Sequence, residues 1–86
     1  MTYFSKIFLK GLKMEYEERL KKLGQNIRIA REERNITIKE LSEKTGIRTE
    51  YLKKIENGEA VRIKIFKLYQ IAHAMNMKTS MLVKDI

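Results

Sequence analysis

Cysteine, proline and tryptophan are absent from the 86 residues, and glycine occurs only four times. Without cysteine there is no disulfide framework, thiolate nucleophile or cysteine-ligated zinc finger, and the redox compartment stays unspecified. A single histidine, His73, excludes a two-histidine zinc site. No apolar run approaches the roughly 20 residues needed to cross a bilayer. Lys6, Lys10 and Lys13 interrupt the apolar N-terminus, so it also lacks the continuous apolar core of a signal peptide. There is no P-loop, G-x-S-x-G or G-x-G-x-x-G, and Asp85 is the only aspartate. These absences point away from an enzyme, a metal site and a cofactor.

What remains is a single short domain rich in charge. Hydrophobic residues make up 43% and charged residues 35%, a balance that suits a folded domain rather than a disordered chain. Nineteen Lys and Arg against eleven Asp and Glu give a net charge of +8 and a pI near 9.8. The excess is spread along the chain, so no tail carries it. A basic domain of this kind fits a polyanion, with nucleic acid first. An anionic membrane surface touched by residues 1–14 is a weaker alternative.

The apolar pattern is helical throughout. Leu20, Leu23, Ile27 and Ala30 lie on one face of a first helix that ends near Asn35. Gly24 lies within that stretch, and close packing would explain it. Thr37 and Glu40 form a T-x-x-E capping box for a short second helix bearing Leu41, which Gly46 closes. Ile47, Leu52 and Ile55 mark a third helix ended by Asn57-Gly58. Ile65, Leu68, Ile71, Ala72 and Met75 mark a fourth, and Thr79 is placed to cap a last short turn around Leu82. In residues 1–14, Phe4, Ile7 and Phe8 share a face before Gly11 interrupts. We read this stretch as an N-terminal arm, mobile or helical, and residues 15–86 as the domain proper. Met14 offers an alternative start.

Two short helices joined by a tight glycine turn make a helix-turn-helix. Thr37–Gly58, TIKELSEKTGIRTEYLKKIENG, has that layout. Here the chain resembles the XRE-type family of phage repressor and Cro proteins, also called lambda repressor-like. The resemblance runs from about Leu23 to Val83 and includes LGQNIRIAREERNIT before the motif and LYQIAHAMNM after it. It implies an all-α, compact bundle of four to five helices that binds double-stranded DNA, usually as a homodimer, in the cytoplasm of a prokaryote or in a phage-infected cell. Two positions depart from the family pattern. Ile38 stands where many members have Gln, and Arg48 stands where many have a Ser or Thr cap, so Thr49 is expected to take over capping. The run IRTEYLKKIENGE is also similar to RodZ-type domains, which use this fold to hold a protein partner. The alternative function is therefore a protein-binding module, RodZ-like or an antitoxin.

At 100° per residue, Leu52 and Ile55 point to one side of the third helix, and Glu50, Lys53, Lys54 and Asn57 to the other. The N-terminal residues of a recognition helix touch base edges. Thr49, Glu50 and Lys54 are therefore the expected base contacts, and the resemblance places base reading there too. Lys pairs with guanine O6 and N7, and Glu accepts from cytosine N4. Arg48, Tyr51, Lys53, Asn57, Arg62 and Lys64 are expected at phosphates. The resemblance further implies an ion pair between Arg31 and Glu56. Met75, Met77 and Met81 are expected in the core or a dimer seam, with Met81 and Leu82 or the N-terminal arm forming that seam.

Overall fold

The computed structural model describes the backbone of residues 2–60 and 62–86 and the side chains of residues 15–60 and 62–86. Among them are five α-helices and no strand: α1 (Thr2–Glu33), α2 (Ile38–Thr45), α3 (Thr49–Glu56), α4 (Ile65–Ala74) and α5 (Thr79–Leu82). The helix-forming sequence of α1 contains no proline, and its backbone runs straight through Gly11. The expected arm is thus continuous with the first helix. Whether Phe4, Ile7 and Phe8 seat on the core lies outside the described side chains. At a rise of about 1.5 Å per residue the helix is roughly 48 Å long, which accounts for the 49 Å longest dimension of the molecule.

Among the described side chains, α1 reaches the core through Leu23, Ile27 and Ala30. These pack with Leu41 of α2, Ile47 of the turn, Leu52 and Ile55 of α3, Leu68, Ile71 and Ala72 of α4, and Leu82 of α5. Helix α1 lies against α3 and α5, α2 against α3 and α4, and α4 against α5. Gly24 sets the closeness of the first pair. A methyl group there would sit 2.5 Å from the carbonyl oxygen of Ile55, so glycine lets α1 meet the α3 backbone directly.

Side chains of α1 also hold the far end of the chain. Asn26 Nδ2 donates to the carbonyls of Leu82 and Lys84, each at 2.9 Å. Arg34 Nε donates to the Met75 carbonyl at 2.9 Å, just past α4. Three expectations are corrected. Ile65 fits the apolar spacing of α4 but is 68% exposed, because the first turn of that helix projects beyond its neighbours. Thr79 is the first helical residue of α5 and the cap position belongs to Lys78, which makes no side-chain cap hydrogen bond. Leu82 is fully buried and is core rather than seam.

Candidate nucleic-acid interface

The turn between α2 and α3 is built from local hydrogen bonds. At the start of α2, Thr37 Oγ1 accepts from the Glu40 N–H at 3.1 Å. Glu40 Oε1 accepts from the Thr37 N–H at 3.0 Å and closes the capping box. These bonds to Thr37, with the backbone one the stronger, hold the Glu40 carboxyl below the usual carboxylate range. At the other end Gly46 adopts φ 75°, the left-handed region that glycine enters freely, and its N–H bonds to the Ser42 carbonyl. Ser42 Oγ donates to the Ile47 carbonyl at 2.5 Å, and Thr45 Oγ1 accepts the Ile47 N–H at 3.1 Å. The turn therefore delivers α3 at a fixed angle.

Helix α3 presents two unlike sides. Leu52, Ile55 and Glu56 are buried, whereas Glu50, Lys53, Lys54 and Asn57 are exposed and Thr49 is half-buried. Arg48, fully in the open, occupies the N-cap with extended backbone and no side-chain cap hydrogen bond. Thr49 is already helical, so capping does not move to it. The N-terminus of α3 accordingly has no side-chain cap and begins beside exposed Arg48.

Behind this face sits the one buried charged residue among those described, Glu56. Its side chain is 2% exposed, and Arg31 Nε lies 2.7 Å from its Oε2. Arg31 Nη2 reaches Oε1 at 3.0 Å and Nη1 reaches the Ile36 carbonyl at 2.9 Å. The hydrogen bond to Glu56 outweighs desolvation and raises the Arg31 pKa. A second guanidinium, not anticipated from the sequence, joins them: Arg28 Nε lies 3.3 Å from Glu56 Oε1. Arg28 Nη2 also donates to Asn57 Oδ1 at 2.8 Å. Arg28 is three residues before Arg31 and so shares its face of α1, which is the signal that could have identified it.

This arrangement sorts the candidates. With Asn57 Oδ1 held by Arg28, its amide nitrogen faces away and keeps both protons for an anion. Tyr51 differs, because its hydroxyl donates to the Arg62 carbonyl at 2.9 Å. That bond takes its single proton, so Tyr51 braces the connector after α3 instead of donating to a phosphate. The brace leaves the Arg62 side chain exposed, with exposed Lys64 capping α4 two residues on. Arg48, Thr49, Glu50, Lys53, Lys54, Asn57, Arg62 and Lys64 thus lie on or beside α3, while Arg31 and Glu56 lie behind it. His73 is exposed and stacks on Tyr69 with ring centroids 5.8 Å apart. No group of three His, Cys, Asp or Glu among the described residues is placed to hold a metal ion. No described helix is long and apolar enough to cross a membrane.

Comparison with known proteins follows this geometry. The fold is similar to the crystal structure of the restriction-modification controller protein C.AhdI from Aeromonas hydrophila, with a TM-score of 0.70. The identity is 22%, and the match covers 73% of this chain and 94% of that one. No curated protein matches the chain. A family model described as a helix-turn-helix domain matches residues 24–85, which span the capping box, the Gly46 turn, α3 and its closing Glu56-Asn57-Gly58. The chain belongs to this helix-turn-helix domain family.

Proposed function

We propose that the protein is a DNA-binding transcription regulator that lays α3 in the major groove of duplex DNA. The observation that carries this reading is the outer face of α3. It is polar and exposed, its N-terminus lacks a side-chain cap, and a buried Arg31–Glu56 pair fixes it from behind. Thr49, Glu50 and Lys54 read base edges. Arg48, Lys53, Asn57, Arg62 and Lys64 hold phosphates, and Tyr51 holds the connector. The protein is a binder, not an enzyme, and needs no cofactor or metal for this task. It acts in the cytoplasm of a prokaryote or of a phage-infected cell.

One short recognition helix covers only a few base pairs, so a homodimer on a near-palindromic site completes the reading. Exposed Ile29, Met81 and Val83 support a seam along α1 and α5. Ile29 and Met81 flank a cleft of about 340 Å³ that is also lined by Asn26 and Met77. The function is tested by selecting bound fragments from random duplex DNA and footprinting the winner. A shared motif with two half-sites about 34 Å apart is expected. Fragments with no common motif, bound equally well, would contradict sequence reading.

A further inference from the structure

Helix α4 has a second apolar face that the fold leaves uncovered. Leu68, Ile71 and Ala72 enter the core. On the remaining side Ile65, Phe66, Tyr69 and His73 fall within about 100° of one another at 100° per residue. Phe66 is 76% exposed and Tyr69 55%. With Ile65 they form a row of three large apolar side chains, which the Tyr69–His73 stack extends by one ring. The helices packed on α4, α2 and α5, meet its other side. Single exposed apolar residues are ordinary, but a contiguous patch marks an interaction site.

Charge identifies what fits. Arg62 and Lys64, both exposed, stand at the N-terminal end of the row. Between Ala60 and Lys84 there are five basic residues and no acid. A second copy of α4, which contains no Asp or Glu, would bring no carboxylate to these cations. Residues 1–14 carry Lys6, Lys10 and Lys13 and no acid, so they bring none either. Duplex DNA would satisfy the cations but offers no apolar surface to cover Phe66 and Ile65. The occupant must carry carboxylates and an apolar stripe together. We propose that the exposed face of α4 is a docking surface for an acidic amphipathic helix of a partner protein, its apolar residues on Ile65, Phe66 and Tyr69 and its carboxylates toward Arg62 and Lys64. The apolar row lies on α4, apart from the outer face of α3, and shares Arg62 and Lys64 with the proposed phosphate contacts; the proposal stands whether or not α3 reads DNA.

The test uses the full chain and three probes: a helical peptide with a leucine stripe and glutamates on its other positions, the same peptide with lysines for glutamates, and phosphatidylglycerol vesicles. Amide chemical shifts locate binding and fluorescence anisotropy measures it. The glutamate peptide should perturb α4 and bind at least about tenfold more tightly than the lysine peptide. Phe66→Ser with Tyr69→Ser should remove at least about tenfold of that affinity with the melting curve unchanged, since both side chains are solvent-facing. Should the double variant melt early, Tyr69→Gln alone takes its place. Lys64→Glu should weaken the glutamate peptide and strengthen the lysine one. Equal binding of the two peptides, failure of the glutamate peptide to bind, shifts confined to another surface, or indifference to the Phe66 and Tyr69 substitutions would each overturn the proposal. So would vesicle binding that the same substitutions abolish, which would make the face a membrane contact.

Discussion

Glu56 is the residue on which most of the arrangement behind α3 depends. Its carboxylate is buried, and two guanidinium groups from α1 reach it. Removing Arg31 leaves that charge with only the longer Arg28 contact, and stranding a buried charge costs several kcal/mol. Arg31→Ala should therefore destabilise the fold by about 3 kcal/mol, the low end of the range, because Arg28 stays. Urea melts of Arg31→Ala, Glu56→Ala and the double variant check this, with strong non-additivity expected. Gly24 makes a second prediction. Alanine there meets the Ile55 carbonyl, which is backbone and gives little, so Gly24→Ala should cost about 1–3 kcal/mol despite its better helix propensity. At this scale the resemblance pointed to the Arg31–Glu56 pair, and the position of Gly24 inside an apolar stripe hinted at a close contact. Arg28 left only its spacing from Arg31 as a signal, and the Tyr51 brace left none, because it depends on where two segments meet in space. Tyr51 and Arg62 are eleven residues apart, across a helix end and a connector.

The helices differ in how their ends are held. Helix α2 has a full capping box, whereas α3 starts at Arg48 with no side-chain cap. Replacing Arg48 with Ser should stabilise α3 by about 0.5–1 kcal/mol while weakening duplex binding, a trade expected where a residue serves a ligand instead of the fold. Paired thermal melts and binding isotherms measure both sides. The box itself is pH-sensitive. Since the folded-state pKa of Glu40 is depressed, its contribution is present above the ordinary carboxylate range and is lost as pH falls through the folded value. Melts from about pH 7 to about pH 3 should show a larger acid loss for the parent chain than for Glu40→Gln, which keeps the box without a titrating group. The box, the Gly46 turn and the Asn57-Gly58 end were legible because cap residues act within three or four positions. The first turn of α4 was not. Spacing put Ile65 with the core residues, but whether a helical face finds a neighbour is decided by the tertiary fold. Gly11 failed as a breaker because one glycine costs a helix only about 1 kcal/mol.

Across the whole molecule, in the function proposed above, +8 of charge supplies attraction to a polyanion and α3 supplies the choice among sequences. The seam proposed along α1 and α5 is testable through Met81, which is exposed. Met81→Asp should leave the fold intact, shift sedimentation toward monomer and weaken binding to a two-half-site operator. The helical class, the helix order and the outward face of α3 could be read from periodicity, whereas the seam could not, because an exposed apolar residue looks like a core residue in a sequence. The most direct test of the central claim compares two lysine and arginine positions on one selected site, on its single-base variants and on random duplex, at two salt concentrations. Lys54→Ala should lose about 1–3 kcal/mol on the selected site and relax preference at one base pair. Arg62→Ala should weaken every duplex alike and reduce the salt slope by about one. If Lys54→Ala leaves both affinity and base preference unchanged, α3 does not read DNA and the account is wrong.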